Sequence, residues 1–221
     1  MSVKIITKSF PQGKGYDLQI MDEKASLQDY LEALNKHILE AELTRTRQKV
    51  NKCEGCDGCC SERIPLTSID VYMLQQGLKP KGETKTLAEI IRRYAYVQAE
   101  GRVVDITLAR NEDGKCVFLN PDTKKCRIYP FRPLVCQTFI CCPVSSRARR
   151  LRETVVNQGE DQLVKWCLSN IPWDKLFNEV WEPEISLADW EDTPFRDRFT
   201  YGSVLIKDIC KPELWQQLYL G

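Results

Sequence analysis

Histidine is almost absent from this chain of 221 residues, in which His37 is the only one. A single imidazole excludes zinc catalysis of the HExxH kind. It also makes a Ser-His-Asp triad or a Cys-His pair nearly impossible to form. His37 falls in the helical pattern of residues 31–39, well before the cysteines. We therefore interpret it as a surface histidine of that helix rather than as a ligand.

The chain also lacks a large net charge of either sign, and it lacks long apolar runs. The 32 basic and 31 acidic residues leave a formal net charge of +1, which argues against a nucleic-acid partner. No apolar stretch approaches the roughly 20 residues that span a bilayer, and residues 1–8 lack the apolar core of a secretion signal. We expect a cytoplasmic protein with no membrane partner, in which clustered thiols favour metal over structural disulfides.

Cysteine, by contrast, is abundant, with eleven in the chain. Four lie within residues 53–60, where two-residue spacers let successive thiols turn toward one centre. We predict that nine of the eleven bind metal: Cys53, Cys56, Cys59, Cys60, Cys116, Cys126, Cys136, Cys141 and Cys142. Thiolate ligands select zinc, an iron–sulfur cluster or, less readily, copper(I).

The spacing of these thiols favours iron–sulfur over zinc. Zinc sites commonly pair one CxxC with another, whereas the three evenly spaced thiols here resemble the ferredoxin run Cx2Cx2C with a remote cysteine before proline. Cys142, followed by Pro143, could play that remote part.

Two of the pairs are adjacent in sequence. Because neighbouring side chains of an extended backbone point to opposite faces, we expect Cys59 and Cys60 to serve two nearby sites or one multinuclear site. The same argument applies to Cys141 and Cys142, of which one is expected to be structural. The two remaining cysteines lie in apolar segments and are predicted to be ordinary core residues: Cys167 and Cys210.

The remaining pattern predicts an α+β fold, mainly helical, with short strands, metal-stitched cysteine loops and an N-terminal hairpin. Strands are predicted at 3–9, 15–21 and 102–108, and helices at 26–50, from 67 or 68 to a stop at Gly77, at 86–99 and at 145–168. We divide the chain into an N-terminal hairpin and helix (1–50), a cysteine-cluster domain (51–170) and a Trp/Pro-rich extension on the same body (171–221).

Two groups of charged residues, in the last long helix and near the cysteines, could either bind a ligand or simply face solvent. The arginines of the last long helix could meet phosphate or an acidic partner, although a solvated face is the commoner explanation: Arg147, Arg149, Arg150 and Arg152. Three carboxylates near the cysteines could ligate metal, but we interpret them as solvated loop residues: Glu54, Asp57 and Asp70.

Four motifs occur in order between about residues 50 and 145: CxxCxxCC at 53–60, CVFL at 116–119, CRIY at 126–129 and RPLVC at 132–136. Together they resemble the CxxCxxCC family, the YkgJ-like cysteine-cluster proteins described as zinc- or iron-chelating domains. The resemblance implies eight ligands: Cys53, Cys56, Cys59, Cys60, Cys116, Cys126, Cys136 and one of Cys141 or Cys142. A familiar variant has arginine after the seventh cysteine, where this chain has Gln137.

The cysteine domain is also similar to that of flagellin lysine N-methylases, larger proteins thought to combine an iron–sulfur cluster with S-adenosylmethionine. That likeness implies cluster-dependent protein methylation as one activity. This chain has neither a glycine-rich strand–turn–helix for a methyl donor nor the CxxxCxxC spacing of radical S-adenosylmethionine enzymes.

The leading hypothesis is a metal-binding protein that holds an iron–sulfur cluster, or zinc, and transfers electrons or modifies a protein substrate. The first alternative is a binding module in which zinc is purely structural and holds the loops together, which we call a zinc-stapled module. The second is a metal storage or delivery protein, and neither of them is catalytic. The sequence does not identify the protein partner or substrate.

Overall fold

The computed structural model describes residues 2–46, 56–79 and 85–220. Its strands are β1 (Val3–Phe10), β2 (Gly13–Ile20), β3 (Ala95–Glu100), β4 (Val103–Leu108) and β5 (Glu179–Trp181). Its helices are α1 (Leu27–Glu40), α2 (Ser68–Leu78), α3 (Leu87–Tyr94), α4 (Leu134–Thr138), α5 (Ser146–Asn170), α6 (Ile206–Ile209) and α7 (Pro212–Leu218). This arrangement confirms the predicted α+β class. None of the described helices is long and apolar enough to cross a membrane.

The N-terminal hairpin forms as predicted. β1 and β2 pair antiparallel from Val3 opposite Ile20 to Phe10 opposite Gly13. Gly13 turns the chain with φ +121°, and a Cβ there would lie 2.4 Å from the Thr44 hydroxyl oxygen, so only glycine fits. Most of β2 is buried, and Tyr16, Leu18 and Ile20 belong to the N-terminal core.

α1 begins where the sequence predicts but ends early. The Ser26 side chain accepts from the Asp29 amide in a capping box. The helix stops at Glu40 rather than continuing to residue 50, because residues 41–46 bond to other parts of the fold. Thr44 donates its amide to the Lys14 carbonyl at 2.8 Å, and Thr46 donates to the Cys141 carbonyl at 2.7 Å. Residues 47–50 of that prediction lie outside the described residues.

The predicted helix 86–99 is wrong in its second half. α3 starts after the Thr86 cap, but residues 95–100 form β3, which pairs antiparallel with β4 and parallel with β5. Alternate residues of β3 are buried, and this two-residue periodicity suits a strand that covers a core. The strand predicted at 102–108 is confirmed as β4.

Gly77 does not end α2, which continues to Leu78. A Cβ at Gly77 would lie 3.0 Å from Cβ of Phe131, so the glycine makes room for the segment that leads to α4. Its role is close packing rather than helix termination.

Two buried clusters lie along α5. Its first half, with Leu151 and Val155, packs with the hairpin, α1, α6 and α7. Its second half, with Leu163 and Cys167, packs with α2, α3, β3 and β4. Cys167 is thus a buried core residue, as predicted, and Cys210 packs partly buried against the first cluster. The division into three domains stays a prediction.

Candidate metal centre

The described part of the CxxCxxCC segment, residues 56–60, lies in a turn that precedes α2. The Cys60 amide donates to the Asp57 carbonyl at 3.0 Å, and the Glu62 amide donates to the Cys59 carbonyl at 3.1 Å. Because this backbone is a turn and not a strand, the Cys59 and Cys60 thiols face the same cavity and hydrogen bond to each other. The extended backbone assumed for this pair is therefore not present, and the expectation that the two thiols serve two nearby sites or one multinuclear site stays a prediction.

The next two thiols come from a loop that is tied to this turn. The Cys116 amide donates to the Cys60 carbonyl at 2.7 Å, and the Phe118 amide donates to Sγ of Cys116 at 3.4 Å. A bridge between Leu119 and Cys126 closes the loop. Backbone hydrogen bonds thus bring thiols that are more than fifty residues apart in sequence to one place.

Cys136 lies on α4, and a buried carboxylate holds the start of that helix. The Leu134 amide donates to Oδ1 of Asp70 at 2.7 Å. The same carboxylate accepts from the Thr67 amide and hydroxyl at 2.8 and 2.9 Å, and from the Tyr201 hydroxyl. Burial raises the pKa of the Asp70 carboxyl, and the hydrogen bonds from Tyr201, Thr67 and Leu134 offset this only in part. Asp70 therefore positions α4.

The interpretation of Asp70 as a solvated loop residue is wrong, since its relative exposure is 0%. It is the third residue of α2 and closes a capping box with Thr67. The spacing Thr67-x-x-Asp70 before an apolar run is the sequence signal that could have placed it there.

Six thiols line a single cavity of about 80 Å³, which we call the thiol cavity: Cys56, Cys59, Cys60, Cys116, Cys126 and Cys136. Most of its other walls are apolar or aromatic, and Lys124 and Arg132 lie at its edge. None of the described residues that line it carries a carboxylate or an imidazole. A donor set of thiols alone suits zinc, copper(I) or an iron–sulfur cluster, and it excludes magnesium and calcium.

The thiols influence one another's ionisation. Burial, followed by the neighbouring charges of Cys116 and Cys59, raises the pKa of Cys136. Burial also raises the pKa of Cys116 to about 11. The hydrogen bond with Cys59, and then burial, raise the pKa of Cys60. A cation in the cavity would reverse this effect, because thiols ligate as thiolates and release protons when they do so.

Cys53 lies outside the described residues. Within the described ranges, no group of three or more His, Cys, Asp or Glu side chains is arranged to hold a metal ion as it stands. The cavity therefore defines which thiols are neighbours, and final coordination would come with the metal itself.

The model of the CxxCxxCC family, whose description reads "Putative zinc- or iron-chelating domain", matches residues 52–166, just over half of the chain. The chain belongs to the CxxCxxCC family. The uncharacterized protein MJ0661 of Methanocaldococcus jannaschii is 32% identical over 85 residues, which are 38% of this chain and 41% of that relative. The match thus spans about two fifths of the relative's length. No solved structure matches the chain, and the likeness to flagellin lysine N-methylases is not shown.

Cys141 and Cys142 do not line the thiol cavity, although one of them belongs to the ligand set that the CxxCxxCC resemblance implies. They line a second pocket together with Arg149 and Arg152. Hydrogen bonds draw this segment onto the hairpin: the Tyr16 amide donates to the Pro143 carbonyl at 3.0 Å. Their role as ligands stays a prediction.

The position after the seventh cysteine of the CxxCxxCC pattern is occupied by Gln137, which supports an arginine of the cavity. Nε2 of Gln137 donates to the Arg132 carbonyl at 2.9 Å. The Arg132 guanidinium lies 4.0 Å from the ring centre of Tyr129 and donates to Oδ1 of Asn35 at 2.9 Å. This fixes a positive charge at the edge of the cavity, where it can offset thiolate charge.

His37 takes no part in the centre. It lies on α1, where Nε2 is 3.2 Å from the Thr7 hydroxyl of β1, and burial lowers its pKa.

Proposed function

We propose that the thiol cavity, completed by Cys53, holds an iron–sulfur cluster and that the protein is a redox protein or a cluster-dependent modifier of a protein substrate. The observation that supports this most is the number of thiols. Six of them line one cavity, whereas a single tetrahedral zinc ion takes four ligands. An excess of thiols with no other donor type favours a polynuclear centre.

A bound cluster would supply one-electron transfer. The chain's own residues prepare the cavity for such a group in four ways, of which the first two concern its walls. Ile64, Leu108 and Phe118 give it apolar walls, which limit the access of water. The Phe118 amide donates to Sγ of Cys116, and a hydrogen bond of this kind to a ligating sulfur stabilises its negative charge.

Asp70 contributes indirectly, as a positioning residue. It holds the amide at the start of α4 and so keeps Cys136 at the cavity. Arg132 adds a fixed positive charge whose direction is set by Tyr129 and Asn35.

A zinc-stapled module without catalysis is the second candidate. The thiols come from three separate segments: the turn at 56–60, the loop at 110–126 and α4. Much of this backbone is irregular, and a structural ion would tie such segments together. A storage or delivery protein would use the same thiols, but its metal would exchange readily.

Anaerobic purification of the full chain, followed by a visible spectrum and by iron, zinc and sulfide analysis, tests the proposal. We expect a brown protein with matching iron and sulfide, and loss of the colour in Cys136→Ser and Cys116→Ser. Cys210→Ser is the matched control, because Cys210 does not line the cavity and should keep the colour. Stoichiometric zinc without sulfide in a colourless protein would contradict the cluster and support the zinc-stapled module.

A further inference from the structure

The arginines of α5 fall into two groups. Arg147 forms an ion pair with Asp17, with Nε 2.8 Å from Oδ1, and Nη1 of Arg150 donates to Oε1 of Gln217 at 3.3 Å. Arg149 and Arg152, one turn apart, instead line a second pocket of about 420 Å³, which we call the arginine pocket. The first pair has partners within the fold, and the second faces an open space.

No Asp or Glu among the described residues lines the arginine pocket. Its polar neighbours, Gln12 and Thr46, are uncharged. Neither Arg149 nor Arg152 forms an ion pair with any described carboxylate, although Glu153 follows Arg149 by one helical turn. Arg152 is half-buried and lies 5.3 Å from the ring centre of Phe139.

Two guanidinium groups at one pocket, with no carboxylate among the described residues that line it, would attract an anion. A guanidinium presents its N–H groups as a planar fork that matches the paired oxygens of a phosphate or carboxylate. The volume of the pocket lies within the usual range for small-molecule sites, about 300–1,000 Å³. The walls contributed by Phe139 and Ile140 suit an apolar part of such a molecule.

We propose that the arginine pocket binds a small oxyanion-bearing molecule, a phosphate or a carboxylate, through Arg149 and Arg152. This departs from the solvated helix face that the sequence favours for these two residues. None of the six thiols of the thiol cavity lines the arginine pocket. The proposal therefore does not rest on those six thiols.

Titration of the full-length protein with inorganic phosphate, by calorimetry and by the shift in thermal unfolding, tests this site. Chloride at matched ionic strength controls for screening. We expect saturable binding that Arg149→Gln and Arg152→Gln each weaken roughly tenfold or more, as expected for loss of a charge-assisted hydrogen bond. Arg150→Gln is the matched control, since it removes a charge from the same helix outside the pocket and should leave binding unchanged.

Unfolding without phosphate shows whether the variants fold, and glutamine at exposed or half-exposed helix positions should leave the midpoint nearly unchanged. Succinate in place of phosphate distinguishes a carboxylate ligand from a phosphate ligand, and saturable binding of either supports the site. No saturable binding of either would overturn the proposal. An equal loss in Arg150→Gln would also overturn it, because it would show attraction to a basic helix rather than to a pocket.

Discussion

The thiol cavity and the arginine pocket are neighbours that differ in volume and in the number of their thiols. Phe139 lines both, and Cys136 lines the first while Cys141, five residues later, lines the second. Six cysteines line the thiol cavity together with Lys124 and Arg132, whereas only two cysteines, Cys141 and Cys142, line the arginine pocket together with its two arginines. The end of α4 and the pairing of Pro143 with Tyr16 separate them. Closeness in sequence therefore does not decide which thiols line the same cavity.

The largest expected effect is on metal content, when cysteines that precede or follow Phe139 in the sequence are replaced by serine. Cys136→Ser should lose most of the bound metal, because it removes a thiol of the cavity. Cys141→Ser, Cys142→Ser and the double variant should keep the full metal content, measured as iron or zinc per chain. Lower metal content in Cys141→Ser or in Cys142→Ser would show that the two sites do not divide the ligands from the other cysteines. It would support the ligand set that the family resemblance implies.

Loss of the buried carboxylate beside the thiol cavity comes next. Asp70→Asn should lower the free energy of unfolding by about 2–4 kcal/mol, because the amide turns a donor toward the N–H and O–H groups that now donate to Asp70. Urea unfolding measures this, and metal content should fall as well because α4 loses its anchor. Asp113→Asn, on an exposed turn, is the control. Full stability in Asp70→Asn would show that α4 is positioned by other contacts.

In the second half of α5, the buried carboxyl of Glu160 should make the stability of the protein depend on pH. Burial raises the pKa of Glu160 from 4.5 to about 7, while its carboxylate accepts from the Ile106 amide at 3.0 Å. Because the pKa of Glu160 is higher in the folded state, the folded protein binds the proton more tightly than the unfolded chain does. The stability that comes from this proton is therefore complete below pH 4.5 and is lost as the pH rises through about 7. Glu160→Gln should therefore be more stable than the natural protein at pH 8, by about 1–3 kcal/mol.

The measurement is urea unfolding between pH 5 and 8, with Glu153→Gln on the exposed face of α5 as control. The difference between Glu160→Gln and the natural protein should shrink toward acid pH. A difference that does not change with pH would contradict the assignment of the titration to Glu160.

The smallest effect is expected at the position after the seventh cysteine. Gln137→Arg loses the hydrogen bond to the Arg132 carbonyl and places a second positive charge near Arg132. We expect a loss of about 0.5–1 kcal/mol in unfolding free energy with unchanged metal content. A large change in metal content would show that this position acts on the centre directly.

Local signals predicted the starts of helices well. Ser26, Thr67 and Thr86 each cap a helix, because a capping box needs only residues three apart. The ends of helices were predicted poorly. α1 stops where Thr44 and Thr46 find distant carbonyls, and α3 stops where residues 95–100 find β4 as a partner. Such partners are absent from any short window of sequence.

The sequence by itself predicted a thiol-rich centre for zinc or an iron–sulfur cluster, because nine of the eleven cysteines fall into two groups and the chain has a single histidine. It also predicted that Cys167 would lie in the core. Tertiary structure alone decided that the adjacent thiols Cys59 and Cys60 face one cavity, because a turn replaced the extended backbone there. It also decided that Cys141 and Cys142 lie elsewhere, because backbone hydrogen bonds to the N-terminal hairpin draw that segment away.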